Sequence, residues 1–281
     1  MPFYGQGMNA GMEDVLAFAE ALDVPPTVSF AVEQALLSLM AARRGTSVAR
    51  LLGAKHTRLP LSHVLVRDAA EAHLAVHGGA EHLKIKVGRD LADCIDRVRA
   101  IRDRVGPKVA LRLDANGAWD MTTARKALQA LAELDVAFVE DPIAGEDLDA
   151  FRALRNASEI PIALDAPVRS LEALKRIIAA QAADVVVIKP MFIGGLARSV
   201  RMIREAHAAG LGVVITSTLE SEVGIAGAKA VALASPPDAL SVCGLGSNHL
   251  SPRQIAPETK LPNALMKSAC ANPTTTALTL V

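Results

Sequence analysis

Aromatic residues are scarce: one tryptophan, one tyrosine and six phenylalanines in 281 residues. Proteins that hold single-stranded nucleic acid stack bases on aromatic side chains and follow the backbone with basic ones. This chain has few of the first and no surplus of the second, since 30 lysines and arginines balance 30 aspartates and glutamates. The basic residues are also scattered, so neither nucleic acid nor a membrane surface is an expected partner. Cysteine is sparse as well. Cys94, Cys243 and Cys270 are odd in number, far apart and form no CxxC pair. That excludes a disulfide framework or a zinc site and fits a reducing compartment. No apolar run approaches the roughly 18 residues that span a bilayer. The opening "MPFYGQGMNAGMEDV" has no basic segment followed by an apolar one, so it does not read as a signal peptide. The expectation is a soluble, cytoplasmic protein.

What the chain does have is apolar mass in a regular rhythm. Half its residues are hydrophobic, 51%. From residue 58 onward, short β-branched runs alternate with longer amphipathic ones. The runs are "LPLSHVLV", "HLKIKV", "VALRLDA", "VAFVED", "PIALDA", "DVVVIKP", "GVVITST" and "ALSVCGL". Helix candidates lie between them, among them "LADCIDRVRAIRDRV", "TTARKALQALAEL", "SLEALKRIIAA" and "LARSVRMIREAHAAG", the last closed by Gly210. Parallel strands need crossovers of about a dozen residues, and eight such units suggest a closed α/β barrel. An open doubly wound sheet is the rival. It would carry a glycine-rich turn after its first strand, whereas "VHGGAEH" precedes a strand. Three regions follow: two helices separated by Pro25-Pro26 in residues 1–57, a barrel in 58–250, and a proline-rich tail in 251–281 that would pack beside the helices.

The barrel strands end in charge. Lys84 and Lys86 share one face of the second strand, and Arg112 and Asp114 one face of the third. Glu140 ends the fourth strand, Asp165 the fifth and Lys189 the sixth. In parallel barrels the C-terminal strand ends form one rim, where active sites lie. Three carboxylates converging there could not all stay ionised without a cation. An all-oxygen set selects a hard ion, Mg²⁺ in preference to zinc. Lysines would flank whatever that ion holds. Lys84 and the cation would lower the pKa of Lys86 and let it act as a base.

Taken together, "KIK", "DANGAW", "VEDP", "LD" and "IKP" on strands two to six resemble the enolase superfamily, in its muconate-lactonising subgroup. The resemblance runs from about residue 25 to 245. It implies a TIM-like (β/α)7β barrel beside a capping region, and an enzyme acting on a small carboxylate substrate. Asp114, Glu140 and Asp165 would hold Mg²⁺ (or Mn²⁺), and a proton α to a carboxylate would be removed through an enediolate. Lys86 would take that proton, Lys189 would stabilise the intermediate from the other face, and Lys84 would tune Lys86. Asn116 would hydrogen-bond behind the metal. Gly194, Gly195, Ser217 and Thr218 would touch the substrate's other oxygens.

Within the subgroup, "VVITSTLESEVGIAGAKAVALA" looks like the o-succinylbenzoate synthase family, carbon–oxygen lyases of menaquinone synthesis. N-Acylamino acid racemases use the same framework with two lysine bases. Dipeptide epimerases usually add Asp-x-Asp near strand eight, where this chain reads "SVCGLGSNHL". Two departures from the family stand out. Strand five reads Asp165-Ala166-Pro167 in place of Asp-Glu, removing a carboxylate from behind the metal. The sequence also begins near the family's first cap helices, so the expectation is a truncated cap and an incomplete lid over the mouth. A catalytically silent barrel acting in binding or assembly is therefore the alternative of another class, and homo-oligomerisation through the open mouth fits either. Trp119 and the histidines His56, His63, His73, His77, His82, His207 and His249 read as packing or surface residues.

Overall fold

Helix α5, Leu91–Val105, shows how the alternating pattern becomes structure. Its Asp90 side chain accepts from the Asp93 amide at 3.1 Å and caps the start, and Arg102 and Arg104 sit in the last turn. Cys94, Val98 and Ile101 form the buried stripe, at helical spacing. Gly106 ends the helix at φ +75°, in the left-handed region where a side chain would be strained. The same logic repeats around the molecule. Asp68, Asp120, Asp147 and Ser170 cap α4 (Ala69–His77), α6 (Met121–Leu131), α7 (Leu148–Asn156) and α8 (Leu171–Ala180).

The protein is seen as a computed structural model that describes residues 11–246 other than 56, 58, 60–62, 237 and 241. His56, His249, Cys270 and the tail 251–281 thus lie outside the described residues, as does the expectation that the tail packs beside the first helices.

Seven parallel strands run in sequence order. They are β1 (Val64–Val66), β2 (His82–Lys86), β3 (Ala110–Asp114), β4 (Val136–Glu140), β5 (Ile162–Leu164), β6 (Val185–Ile188) and β7 (Gly212–Ile215). Among the described residues the eighth run forms no ladder of its own. It is reduced to parallel bridges, Val213 with Leu240 and Thr216 with Gly244. Its other side meets the chain just before β1, where the His63 amide donates to the Cys243 carbonyl at 2.9 Å. Leu240, Cys243 and Gly244 therefore occupy the eighth place in the ring and close it.

Between the barrel strands lie α4 to α8, then a single turn α9 (Pro190–Ile193), α10 (Leu196–Ala208) and α11 (Glu222–Ala234). Outward strand residues such as Leu83, Ile85, Leu111 and Leu113 are fully buried against these helices. A second, smaller apolar group, Phe138, Ala163, Val187 and Val214, fills the barrel interior on the β4 to β7 side.

The N-terminal segment forms α1 (Met12–Glu20), α2 (Pro26–Arg43) and a short α3 (Val48–Leu51). Pro26 is the first residue of α2, where its missing amide costs nothing. The α2 helix packs on α9 and α10, and α3 packs on α11. No helix of the described residues is long and apolar enough to cross a membrane.

Candidate active site

Strand register sets the layers of the site. Lys84 is level with Arg112, and Arg112 with Phe138; one layer up, Lys86 is level with Asp114, and Asp114 with Glu140. All point into the barrel, because their odd-numbered neighbours on β2 and β3 are buried against the helices. The shared face expected for the lysines and for Arg112 with Asp114 is therefore the interior one.

Lys84 does not turn to Lys86. Its ammonium rises to the layer above and donates to both oxygens of Glu140, at 3.0 and 2.8 Å. It also pairs with Asp114 Oδ2 at 3.0 Å. Burial works against the Lys84 charge, but Glu140 and Asp114 outweigh it and hold the pKa above the ordinary lysine value. Lys86 is exposed at the mouth. Across the ring, Lys189 pairs with Asp165 and lies 5.8 Å from the Phe192 ring centroid.

Glu140 is the most confined carboxylate, 4% exposed. Burial pushes its pKa up to about 7, and the neighbouring Asp114 and Asp165 charges push the same way, against the pull of Lys84. The three carboxylates are thus close enough to repel one another, and three oxygen donors on successive strand ends suit a hard divalent cation. In this structure their counter-charges are lysine ammonium groups. Among the described residues no three carboxylate, imidazole or thiol groups converge in a metal-holding arrangement.

Asp141, next to Glu140, shapes the adjoining strand end. It adopts φ +43° and accepts from the Asp165 and Ala166 amides, both at 2.9 Å. Burial raises its pKa to about 6, despite those two bonds. The sequence offered a signal for it, the doubled acid in "VEDP". Ala166, the departure noted on strand five, contributes its amide to Asp141.

Asn116 sits behind Asp114, but the contact is through its backbone amide, which donates to Asp114 Oδ1 at 3.1 Å. Trp119 is buried and its indole donates to the Gly88 carbonyl at 2.8 Å, tying the turn after β3 to the one after β2. The Ser217 amide donates to the Gly244 carbonyl at 3.3 Å. The Thr218 hydroxyl lies 2.8 Å from Glu220 Oε2 and 3.5 Å from Met191 Sδ. Gly194 and Gly195 have a packing reason: a Cβ on Gly194 would meet Pro26 Cα at 3.1 Å, and one on Gly195 would collide with Glu33 Oε2.

Two histidines read as packing residues line the barrel below the site. His63 faces Lys84, Arg112 and His82, and burial lowers its pKa to about 3. Arg112 lies 5.0 Å over the Phe138 ring, donates to the Val242 carbonyl at 2.5 Å and is held down to about 10 by burial.

The chain as a whole is similar to known proteins. Residues 64–260 match the family described as enolase C-terminal domain-like. By sequence the chain is 32% identical to the N-succinyl-L-Arg/Lys racemase of Bacillus cereus, over 70% of this chain and 56% of that protein. It is 35% identical to an o-succinylbenzoate synthase of Thermobifida fusca, over 68% and 59%. Among solved structures, muconate lactonizing enzyme superposes with a TM-score of 0.79 at 25% identity, over 86% of this chain and 70% of that one. A dipeptide epimerase of Cytophaga hutchinsonii, complexed with Mg and D-Ala-L-Val, superposes with a TM-score of 0.76 at 26% identity, over 84% and 66%. The chain belongs to the enolase superfamily, in its muconate-lactonising subgroup. It spans less than two thirds of the length of the two sequence relatives.

Proposed function

We propose that this protein is a Mg²⁺-dependent enzyme that removes a proton α to a carboxylate, and that its reaction is the dehydration of a cyclohexadiene carboxylate to o-succinylbenzoate. What carries the reading is the rim itself, with Lys86 and Lys189 on either side of Asp114, Glu140 and Asp165. Those three carboxylates would hold the ion, which supplies positive charge where negative charge develops on the substrate carboxylate. Lys86, exposed at the mouth, takes the α-proton and returns it to the departing hydroxide. Lys189 stabilises negative charge from the opposite face. Asp141 keeps the Asp165 backbone in place.

A second reading, racemisation of an N-acylamino acid, is favoured by the 32% identity to an N-succinyl-L-Arg/Lys racemase. In it Lys86 and Lys189 serve as two bases, one for each face. The two are separated by incubation in D₂O with Mg²⁺. Loss of water from the cyclohexadiene carboxylate supports the first, and α-deuteration of N-succinylarginine without elimination of any substrate supports the second. Lys86→Ala should bind substrate but lose both. No exchange with either substrate in metal-loaded protein would leave a silent barrel.

A further inference from the structure

The segment that follows β6 carries Lys189 into the site and is held from outside the barrel. The Lys189 carbonyl accepts from the Phe192 and Ile193 amides at 2.9 and 3.0 Å, and the Pro190 carbonyl from the Gly194 amide at 3.0 Å. Lys189, α9 and Gly194-Gly195 therefore form one hydrogen-bonded piece leading into α10. The start of α10 has no cap of its own, since Gly195 has no side chain. Glu33, from α2, supplies one. Its Oε1 accepts from the Leu196 amide at 2.9 Å and the Ala197 amide at 2.8 Å.

Glu33 is only 3% exposed. A buried carboxylate is costly without partners. The chain leaves room for this one by placing glycine at 195, where a Cβ would strike Glu33 Oε2. Gly194, at φ +88°, lies flat against Pro26 of the same helix. The adjacent residue holds a second barrel helix by the opposite bond: Gln34 Nε2 donates to the Val223 carbonyl at 2.6 Å, in the helix after β7.

We propose that Glu33 is a positioning residue for Lys189: it caps α10 from the neighbouring helix and so fixes the Lys189 ammonium on the Asp165 side of the site. The inference rests on the two-lysine reading above only for its catalytic consequence. The mechanical part is tested without turnover, by hydrogen–deuterium exchange of the full chain. Glu33→Ala should speed amide exchange across residues 194–200 about tenfold, in line with loss of one helix cap, while residues 82–90 stay unchanged. Glu33→Gln keeps an acceptor oxygen and should restore slow exchange. Gly195→Ala, which drives a methyl into the same carboxylate, should act like Glu33→Ala if that variant folds poorly.

The catalytic consequence is asymmetric. With N-succinyl-L- and N-succinyl-D-arginine in D₂O, Glu33→Ala should slow α-proton exchange about tenfold for the enantiomer facing Lys189, the same cap energy read as a rate. The enantiomer facing Lys86 should be spared. Equal loss for both, or unchanged exchange at 194–200, overturns the inference. Exchange of neither enantiomer by the unmodified protein overturns the two-lysine reading, and the amide exchange then decides on Glu33 alone.

Discussion

Replacing Lys84 by methionine keeps the alkyl stem and removes the charge. The structure says what is lost: both oxygens of Glu140 and one of Asp114 accept from that single ammonium. Asp114 keeps the Asn116 amide, but Glu140 loses both bonds, and its side chain is only 6% exposed. Removing one partner of a buried pair costs about 3–5 kcal/mol, because the other charge stays behind. Lys86, beside Asp114 in the same layer, is exposed, so the lower figure, about 3 kcal/mol, applies here. The loss should depend on pH. The Glu140 pKa in the folded state is already raised above its ordinary 4.5 to about 7. A raised acid contributes stability below its unfolded pKa and loses it as pH rises through the folded one. Without Lys84 the folded pKa climbs further, so the penalty is small near pH 5, where Glu140 is protonated in both proteins, and grows as pH rises above 7. Urea unfolding followed by circular dichroism, in EDTA, measures this directly. Mg²⁺ should then stabilise Lys84→Met more than the parent, since no ammonium competes; a hundredfold excess over Kd is worth about 2.7 kcal/mol. A penalty under about 1 kcal/mol at pH 8 would refute Lys84 as the counter-charge. Failure of Mg²⁺ to stabilise either protein would refute the three-carboxylate metal site.

His63 should make the fold acid-labile. Its folded pKa, about 3, lies below the ordinary 6.5 because burial and the Lys84, Arg112 and His82 charges disfavour the cation. Its contribution is therefore present above pH 6.5 and lost as pH falls toward 3; at pH 4 the loss amounts to at most about 3 kcal/mol. Thermal melts from pH 7 to 4 should show His63→Leu gaining on the parent as the medium acidifies. Asp141→Ala leaves the Asp165 and Ala166 amides without their acceptor, costing about 2 kcal/mol and loosening Asp165. Calorimetry should record weaker Mg²⁺ binding, and Asp141→Asn, which keeps one acceptor, should fall between the two.

The barrel and its rim were legible because parity is a local property. A lysine at 84 and another at 86 must share a face whatever the rest of the chain does, and the register then carries Lys86 to Asp114 and Asp114 to Glu140. Helix α5 was readable from end to end for the same reason. What the sequence hides is distance along the chain. Glu33 reaches α10 across 163 positions, and nothing near residue 33 announces a cap for a helix near residue 196. The packing of Gly194 and Gly195 against α2 is equally invisible from their own neighbourhood in the sequence. The choice made by Lys84 is hidden too. Parity puts it inside the barrel, but only three-dimensional height decides that its ammonium meets Glu140 and Asp114 in the layer above.

The neutral balance of the whole chain conceals a polarised interior. On the side of β1 to β3 the barrel holds His63, His82, Lys84 and Arg112, and on the side of β4 to β7 it holds Phe138, Ala163, Val187 and Val214. Arg112 over Phe138 marks the seam. The positive charge of Lys84 and Arg112 thus lies directly below the carboxylates, while Lys189 meets Asp165 from the far side. A divalent ion at these carboxylates would add charge where ammonium already sits. Either Lys84 swings away from Asp114 and Glu140 or the ion binds weakly, since like charges at that separation disfavour each other. A Mg²⁺ titration should therefore either displace Lys84 from Glu140 and Asp114 or show weak binding, and tight binding with both Lys84 contacts intact would contradict a three-carboxylate site.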